Sequence, residues 1–228
     1  MTRLAVAAAL VAFVAAPFVT IATAHAQTPP AAKTASTSAV STIDPGKWLP
    51  AVRTRAWLAT SEERLKQAGV PRDKGLGVVT PLNDALVWLV AEDRPNDTRF
   101  VTVDEITAAG LTPDQAKQRA LENLRRVRPQ MAVEGKNGRF RVVGERTFEA
   151  SLALDEAWLR DKTLDLHGDP VVAMPSTTMI FITDASNAQA LMSLRSVVSR
   201  LYAEAGAAAL STELFVWRHG QLEILPVP

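Results

Sequence analysis

The chain has 228 residues, with 25 basic and 24 acidic side chains and no cysteine. Its length suits one domain of ordinary size, and its near-neutral charge gives no electrostatic case for nucleic acid or an anionic membrane surface as a partner. The lack of cysteine excludes disulfides, thiol nucleophiles and cysteine metal ligands, so an apolar core must hold the fold together.

The N-terminal residues 1–26 have the pattern of a secretory signal peptide. Arg3 supplies the positive start, an apolar run covers 4–21, and an A-x-A sequence ends at Ala26. We therefore expect cleavage before Gln27 and a mature protein that is periplasmic or secreted, which meets a membrane only through the signal peptide before cleavage. The alternative is an uncleaved N-terminal anchor, because the apolar run is nearly long enough to span a bilayer.

The next segment, 27–46, is rich in Ala, Thr, Ser and Pro, which is typical of a flexible tether. Folding is expected to begin near Trp48, and the rest of the chain is predicted to form a single α+β domain over 47–228. Thr60 and Glu63 have the spacing of a capping box and predict the start of the first helix.

The first half of this domain has one central strand and one clear helix. Residues 85–91 are apolar on both faces and predict a central strand, with an antiparallel partner at 99–102 and a turn at 95–97. The clearest helical pattern runs over 113–127, because Thr112 is a good N-cap and its capping-box partner follows three residues later.

The same order of elements recurs downstream. In chain order we expect a hairpin over 131–143, a strand over 147–154, a short helix over 155–162, strands over 171–174 and 178–183, a helix capped by Ser186 and Gln189, and a hairpin over 213–225. Both halves read strand–strand–helix–strand–strand, which suggests a duplicated unit with halves 75–145 and 146–228. The expected fold class is α+β, with a mixed, mostly antiparallel sheet and packed helices.

Six short stretches in this domain carry a family resemblance. They are PLND at 81–84, ALENL at 120–124, EASL at 149–152, GDPVVA at 168–173 with FITD at 181–184, and LSTELF at 210–215. Together they resemble the YtpQ-like family of bacterial proteins over roughly 74–225. The resemblance implies an α+β domain of unknown function and supplies no catalytic residues. Members of that family are mostly cytoplasmic, so a signal peptide here is a departure that puts a cytoplasmic role in doubt.

No linear motif for catalysis or for a cofactor stands out. His167 and His219, the histidines of the predicted mature chain, lack a second ligand at helical spacing, so we expect no metal site. Neither a nucleophile elbow nor a phosphate-binding loop is present, and we expect no cofactor. Ser176, His167 and Asp169 are close in sequence, but that closeness is no evidence for the geometry of a triad.

Three polar residues are candidate binding residues. Asn83 and Asp84 lie where the chain enters the predicted central strand, and Asp169 has the corresponding position in the second half. If the halves pair with pseudo-two-fold symmetry, these side chains converge at matching ends of the sheet. The alternative is that they cap local backbone in ordinary turns.

The expected function is that of a non-enzymatic exported module that binds a small molecule or another protein. This expectation rests on the missing catalytic motifs, the tether and the neutral surface. The alternative is a hydrolase that uses the carboxylates of Asp84, Glu149 and Asp169, since pairs of acids leave no linear motif. A structural role through oligomerisation is a third alternative.

Overall fold

The computed structural model describes residues 43–94, 98–144 and 148–226, which belong to one compact unit. The predicted signal peptide, its Ala26–Gln27 cleavage site, most of the predicted tether and the predicted turn at 95–97 lie outside the described residues. These predictions therefore stay predictions.

The described chain alternates between strands and helices. The strands are β1 (Trp48–Thr54), β2 (Val79–Pro81), β3 (Leu86–Asp93), β4 (Thr98–Phe100), β5 (Val133–Lys136), β6 (Arg139–Val143), β7 (Pro170–Ser176), β8 (Met179–Asp184), β9 (Leu214–Arg218) and β10 (Gln221–Ile224). The α-helices are α1 (Arg55–Gln67), α2 (Arg72–Gly75), α3 (Val103–Ala108), α4 (Pro113–Val127), α5 (Glu156–Leu159) and α6 (Ala188–Glu204). Short 3-10 helices cover Pro45–Lys47, Arg128–Gln130, Glu149–Leu154, Lys162–Leu164 and Gly206–Ala208.

The strands form two sheets. In the smaller sheet β3 is central, with β1 on one side and both β2 and β4 on the other; in the larger sheet the order is β10-β9-β7-β8-β6-β5. Every pairing among the described residues is antiparallel. The predicted α+β fold class, with antiparallel pairing and packed helices, is confirmed. The β5–β6 hairpin pairs with β8, so the two predicted halves share the larger sheet.

One apolar core lies between the two sheets and α4. Its largest fully buried side chains include Trp48 on β1, Phe148 before the 3-10 helix, and Phe215 on β9. Leu124 on the buried face of α4 belongs to the same cluster. Because burial of each such side chain stabilises the fold by about 1.5–3 kcal/mol, this shared core joins the sheets into one structure.

The helix α4 confirms its prediction at both ends. Thr112 is the N-cap, its hydroxyl accepts from the backbone of Gln115, and the Gln115 side chain accepts from the Thr112 backbone N–H. The buried face carries small and apolar side chains, including Ala116 and Ala120. These start signals are local in sequence, which is why the pattern alone located the helix.

Three other local predictions were wrong. Helix α1 begins at Arg55 and not at a capping box of Thr60 and Glu63, because Thr54 ends β1 and caps the Trp57 N–H at 2.9 Å. The predicted strand at 147–154 is a 3-10 helix, Glu149–Leu154, buried in the core.

The third concerns α6, whose N-cap is Asn187 and not Ser186. The Asn187 side chain accepts from the Ala190 N–H at 3.0 Å. The Ser186 hydroxyl instead donates to the Asp184 carboxylate at 2.5 Å. Asp184, the last residue of β8, is the acceptor of this bond. The local sequence pattern does not show whether Ser186 or Asn187 caps the helix.

Candidate functional site

Helix α6 covers only part of the outer face of the larger sheet, which is the face turned away from the shared core. Its buried residue Val198 packs on Val171 and Ala173 of β7 and on Leu214 and Val216 of β9, in a small apolar cluster of their own. The outer face of β8, β6 and β5 continues beyond the helix. A single helix on a six-stranded sheet therefore leaves a surface beside it that side chains only partly fill.

A groove of about 390 Å³ lies at this place, between α6 and the β5–β6 hairpin. We call it the α6 groove. Its floor is Phe181 and Thr183 of β8, and its helix wall includes Ala190, Leu194 and Val197. Strand alternation explains the floor, because Ile180 and Ile182 point into the shared core and their neighbours point outward. The floor and the helix wall are therefore mainly apolar.

Thr183 is the exception on this apolar floor. The residue is 2% exposed, and its Oγ1 has no hydrogen-bond partner among the described residues. A buried hydroxyl without a partner typically costs about 1–3 kcal/mol of stability. Because Thr183 lines the groove, rotation about χ1 can turn its hydroxyl toward a polar group bound there.

The opposite wall of the groove is the charged face of the β5–β6 hairpin. The register sets Glu134 across from Arg141 and Lys136 across from Arg139. Arg141 donates from Nε and Nη2 to Glu134 Oε2, at 2.9 and 2.6 Å. Within the described residues, Arg139 makes no ion pair and lines the groove. One wall of an apolar groove thus presents a guanidinium group without an acidic partner.

Arg139 and Thr183 were not among the predicted site residues. The sequence shows Arg139 and Arg141 alternating with apolar residues, which indicates a polar strand face. It does not show that Thr183 lies on the neighbouring strand of the same face. That relation depends on the register between β6 and β8, which pairs Phe140 with Ile182.

Asn83, a predicted site residue, has structural contacts. Its Oδ1 accepts from the backbone N–H groups of Ala85 and Leu86, both at 2.9 Å. Its Nδ2 donates to the carbonyl of Leu222 on β10 at 3.2 Å, and its own carbonyl accepts from Arg55. These contacts are those of an Asx side chain that caps local backbone, the alternative stated for this residue.

The two predicted aspartates lie in different surroundings. Asp84 is exposed. Asp169 is half-buried, accepts from Arg218 Nε at 2.9 Å, and lies 3.7 Å from Arg160. No hydrogen bond or ion pair among the described residues joins Asn83 or Asp84 to Asp169. The convergence of these residues expected from the pseudo-symmetry has no support in their contacts.

Glu149, the third acid of the hydrolase alternative, is buried, with 3% of the residue exposed. Its Oε2 accepts from the Phe148 N–H at 3.2 Å. The carboxylate packs against Gly144, where any side chain would overlap it. It lines a smaller pocket of about 300 Å³ with Leu49 and Met131. Neither Asp84 nor Asp169 lines that pocket, and no contact among the described residues joins the three acids into a common site.

Both histidines lie in connecting segments between strands or helices. His219 adopts a positive φ of 51° between β9 and β10, as its turn requires. The His167 N–H donates to the carboxylate of Asp184 at 3.2 Å. Over the described ranges, no group of three or more His, Asp and Glu side chains is placed to hold a metal ion. Over the same ranges, no helix has both the length and the apolar character needed to cross a membrane.

Comparison with known proteins adds no further assignment. No protein-family model, no curated protein and no solved structure matches this chain. The resemblance to the YtpQ-like family therefore stays a prediction.

Proposed function

We propose that this chain is an exported, periplasmic binding protein that holds a small amphipathic molecule in the α6 groove. The observation that carries the proposal is the hydroxyl of Thr183, which lies buried on the otherwise apolar floor of the groove with no hydrogen-bond partner among the described residues. Sites for small molecules commonly combine an apolar lining with a few polar groups that orient the ligand.

The size of the groove supports a small ligand. At about 390 Å³ it falls within the usual range for such sites, about 300–1,000 Å³. A bound molecule with a polar atom near Thr183 would give this hydroxyl a hydrogen-bond partner. The free energy lost in folding with an unbonded hydroxyl is then partly recovered on binding.

The groove can be tested with a neutral fluorescent probe, N-phenyl-1-naphthylamine, added to the mature protein. We expect saturable binding with a blue-shifted emission. The substitution Ser193→Trp places a large side chain on the helix wall of the groove and should weaken binding about tenfold or more, because it fills the space that the probe needs.

A matched control is Ser199→Trp. Ser193 and Ser199 are both exposed on α6, and each hydroxyl donates to the carbonyl of the residue four positions earlier, at 2.9 and 3.2 Å. Ser199 does not line the groove. The control should bind the probe like the parent protein. Equal effects of both substitutions, or no saturable binding to the parent, would contradict the proposal.

The export part of the proposal has its own measurement. The intact mass of the protein recovered from a periplasmic extract should correspond to a chain that begins at Gln27. A full-length chain in the membrane fraction would instead support the alternative of an uncleaved anchor.

A further inference from the structure

We propose that the ligand of the α6 groove is an amphipathic carboxylate, whose head group is bound by Arg139 together with Thr183. This inference rests on the proposed function and adds to it the chemistry of the ligand.

The register brings the cation and the unbonded hydroxyl to one end of the groove. Strands β6 and β8 pair Phe140 with Ile182 and Arg141 with Phe181. One step further in the same register sets Arg139 across from Thr183. Side chains that lie opposite each other on neighbouring strands, on the same face of the sheet, are close enough to contact the same group of a ligand. A guanidinium group and a hydroxyl together donate to the two oxygens of a carboxylate.

The charges on the hairpin wall favour an anion. Of its four charged outer-face side chains, three are basic: Lys136, Arg139 and Arg141. Glu134, the acid among them, already pairs with Arg141. Lys136 and Arg139 lie directly opposite each other, and like charges in this position destabilise a strand pair. A bound anion relieves this repulsion, and Arg139 is the cation of this pair that lines the groove.

The nearest acid along the strand does not neutralise Arg139. Asp184 follows Thr183, so strand alternation directs its side chain to the opposite face of the sheet. Its oxygens accept hydrogen bonds from Ser186 and from the His167 N–H, at 2.9 and 3.2 Å for the backbone donors. Arg139 therefore keeps its donors for a ligand.

The apolar part of the groove extends away from this charged end. Ala190 lies in the first turn of α6, next to the end of β8 that carries Thr183, and Leu194 and Val197 follow along the helix. An apolar chain can lie between these side chains and Phe181. The N-terminal end of α6, with its partial positive charge, lies on the side of the head group.

Titration calorimetry of the mature protein with decanoate and decanol tests the inference. The two probes share a chain and differ in charge at the head. We expect the parent protein to bind decanoate about tenfold more tightly than decanol, because only the carboxylate accepts charge-assisted hydrogen bonds. The substitution Arg139→Gln should remove this preference, because it weakens the binding of decanoate and leaves the binding of decanol unchanged. Higher salt should weaken decanoate binding only.

The control is Arg200→Gln. Arg200 is an exposed arginine on α6 that does not line the groove, and its substitution causes the same change in net charge. It should leave both affinities at the parent values. The head-group assignment is overturned if the parent protein binds decanoate and decanol with equal affinity, or if Arg139→Gln lowers both affinities by the same factor. The groove remains a binding site in either case.

Two further outcomes are distinct from these. Decyl phosphate that binds more tightly than decanoate, in a manner that depends on Arg139, would replace the carboxylate with a phosphate head group and overturn this assignment. Failure of decanoate, decanol and the neutral naphthylamine probe alike to bind would overturn the proposed function itself, and the inference with it.

Discussion

The buried side-chain amide of Asn123 on α4 donates a 2.8 Å hydrogen bond to the carbonyl oxygen of Trp48 at the start of β1. The same nitrogen also donates to the carbonyl of Pro45 at 2.8 Å. One side chain thus connects α4 to the first turn and the first strand of the described fold. Asn123 and Trp48 are 75 positions apart in the chain, so no local sequence pattern shows this contact.

The first prediction concerns this contact. Replacement Asn123→Leu keeps the side-chain volume similar but removes the donor to the buried Trp48 carbonyl and to the partly buried Pro45 carbonyl, so it should lower the free energy of unfolding by about 2–4 kcal/mol. Urea unfolding followed by tryptophan fluorescence measures the change. Gln118→Leu on the exposed face of α4, where Gln118 contacts Glu122 at 3.0 Å, should change stability little. Similar losses in the two variants would count against a structural role of the amide.

The second prediction separates the stability of the groove from its function. Thr183→Val removes the unbonded hydroxyl while keeping the shape of the side chain, so the unliganded protein should become about 1 kcal/mol more stable. The same substitution should weaken decanoate binding, because a donor to the head group is lost. Stability at a binding site is often traded against function in this way.

A control for this experiment is Thr178→Val. The Thr178 hydroxyl lies 3.1 Å from the Ser176 hydroxyl and has a hydrogen bond to lose, so this substitution should destabilise the protein. A loss of stability in Thr183→Val of the same size would show that the Thr183 hydroxyl has a partner after all.

The third prediction concerns Arg53, whose guanidinium lies 5.7 Å from the ring centre of Trp57 and 5.4 Å from that of Phe100. Burial lowers its pKa to about 10. It donates to the carbonyl of Val52 and makes no ion pair within the described residues. Because the folded-state pKa lies below that of the unfolded chain, the charged form destabilises the folded protein at neutral pH, and this penalty shrinks only as pH rises above about 10.

Replacement Arg53→Met should therefore leave the protein as stable as the parent or more stable, since methionine packs on both rings without a buried charge. The comparison is Arg99→Met, which breaks the 2.7 Å ion pair with Glu92 and the contact with Glu105. That variant should lose about 1–3 kcal/mol. Thermal unfolding at neutral pH distinguishes them, and a large loss in Arg53→Met would show that the cation stabilises the fold.

The fourth prediction is a pH dependence. Burial tends to raise the pKa of Asp184, but hydrogen bonds from Ser186 and from the His167 N–H outweigh it and hold the pKa below its usual value. A lowered carboxyl pKa contributes stability that is fully present above the unfolded-state pKa and is lost as pH falls through the folded-state pKa.

Asp184→Asn should therefore be less stable than the parent by about 1–2 kcal/mol at pH 7. The difference should shrink as pH falls below the usual carboxyl range, because the parent carboxylate is then protonated. Urea unfolding over this range at constant ionic strength measures the difference. If the difference in unfolding free energy between the two proteins stays constant down to the most acidic pH, the charge of Asp184 does not contribute to stability.

The elements that sequence analysis located well are those whose signals are local. Helix α4 was predicted with its bounds because Thr112, Pro113 and Gln115 are adjacent in sequence and act on the same helix end. The antiparallel pairing of β3 with β4 was also predicted, since a single short connection joins them. Strand β1 was missed, because its identity depends on seven pairings with β3 rather than on any nearby turn.

The sequence by itself determined the α+β class, the dependence on an apolar core without disulfides, and the amphipathic helices. These properties follow directly from the composition and from the periodicity of apolar residues. Only the tertiary structure decided which polar residues share a site. Asn83, Asp84 and Asp169 look equivalent in sequence, yet Asn83 caps local backbone, Asp84 is exposed and Asp169 pairs with Arg218. Arg139 and Thr183 lie far apart in sequence, yet the register of β6 and β8 sets them side by side. Register is a property of paired strands, and it places side chains together that no local pattern can relate.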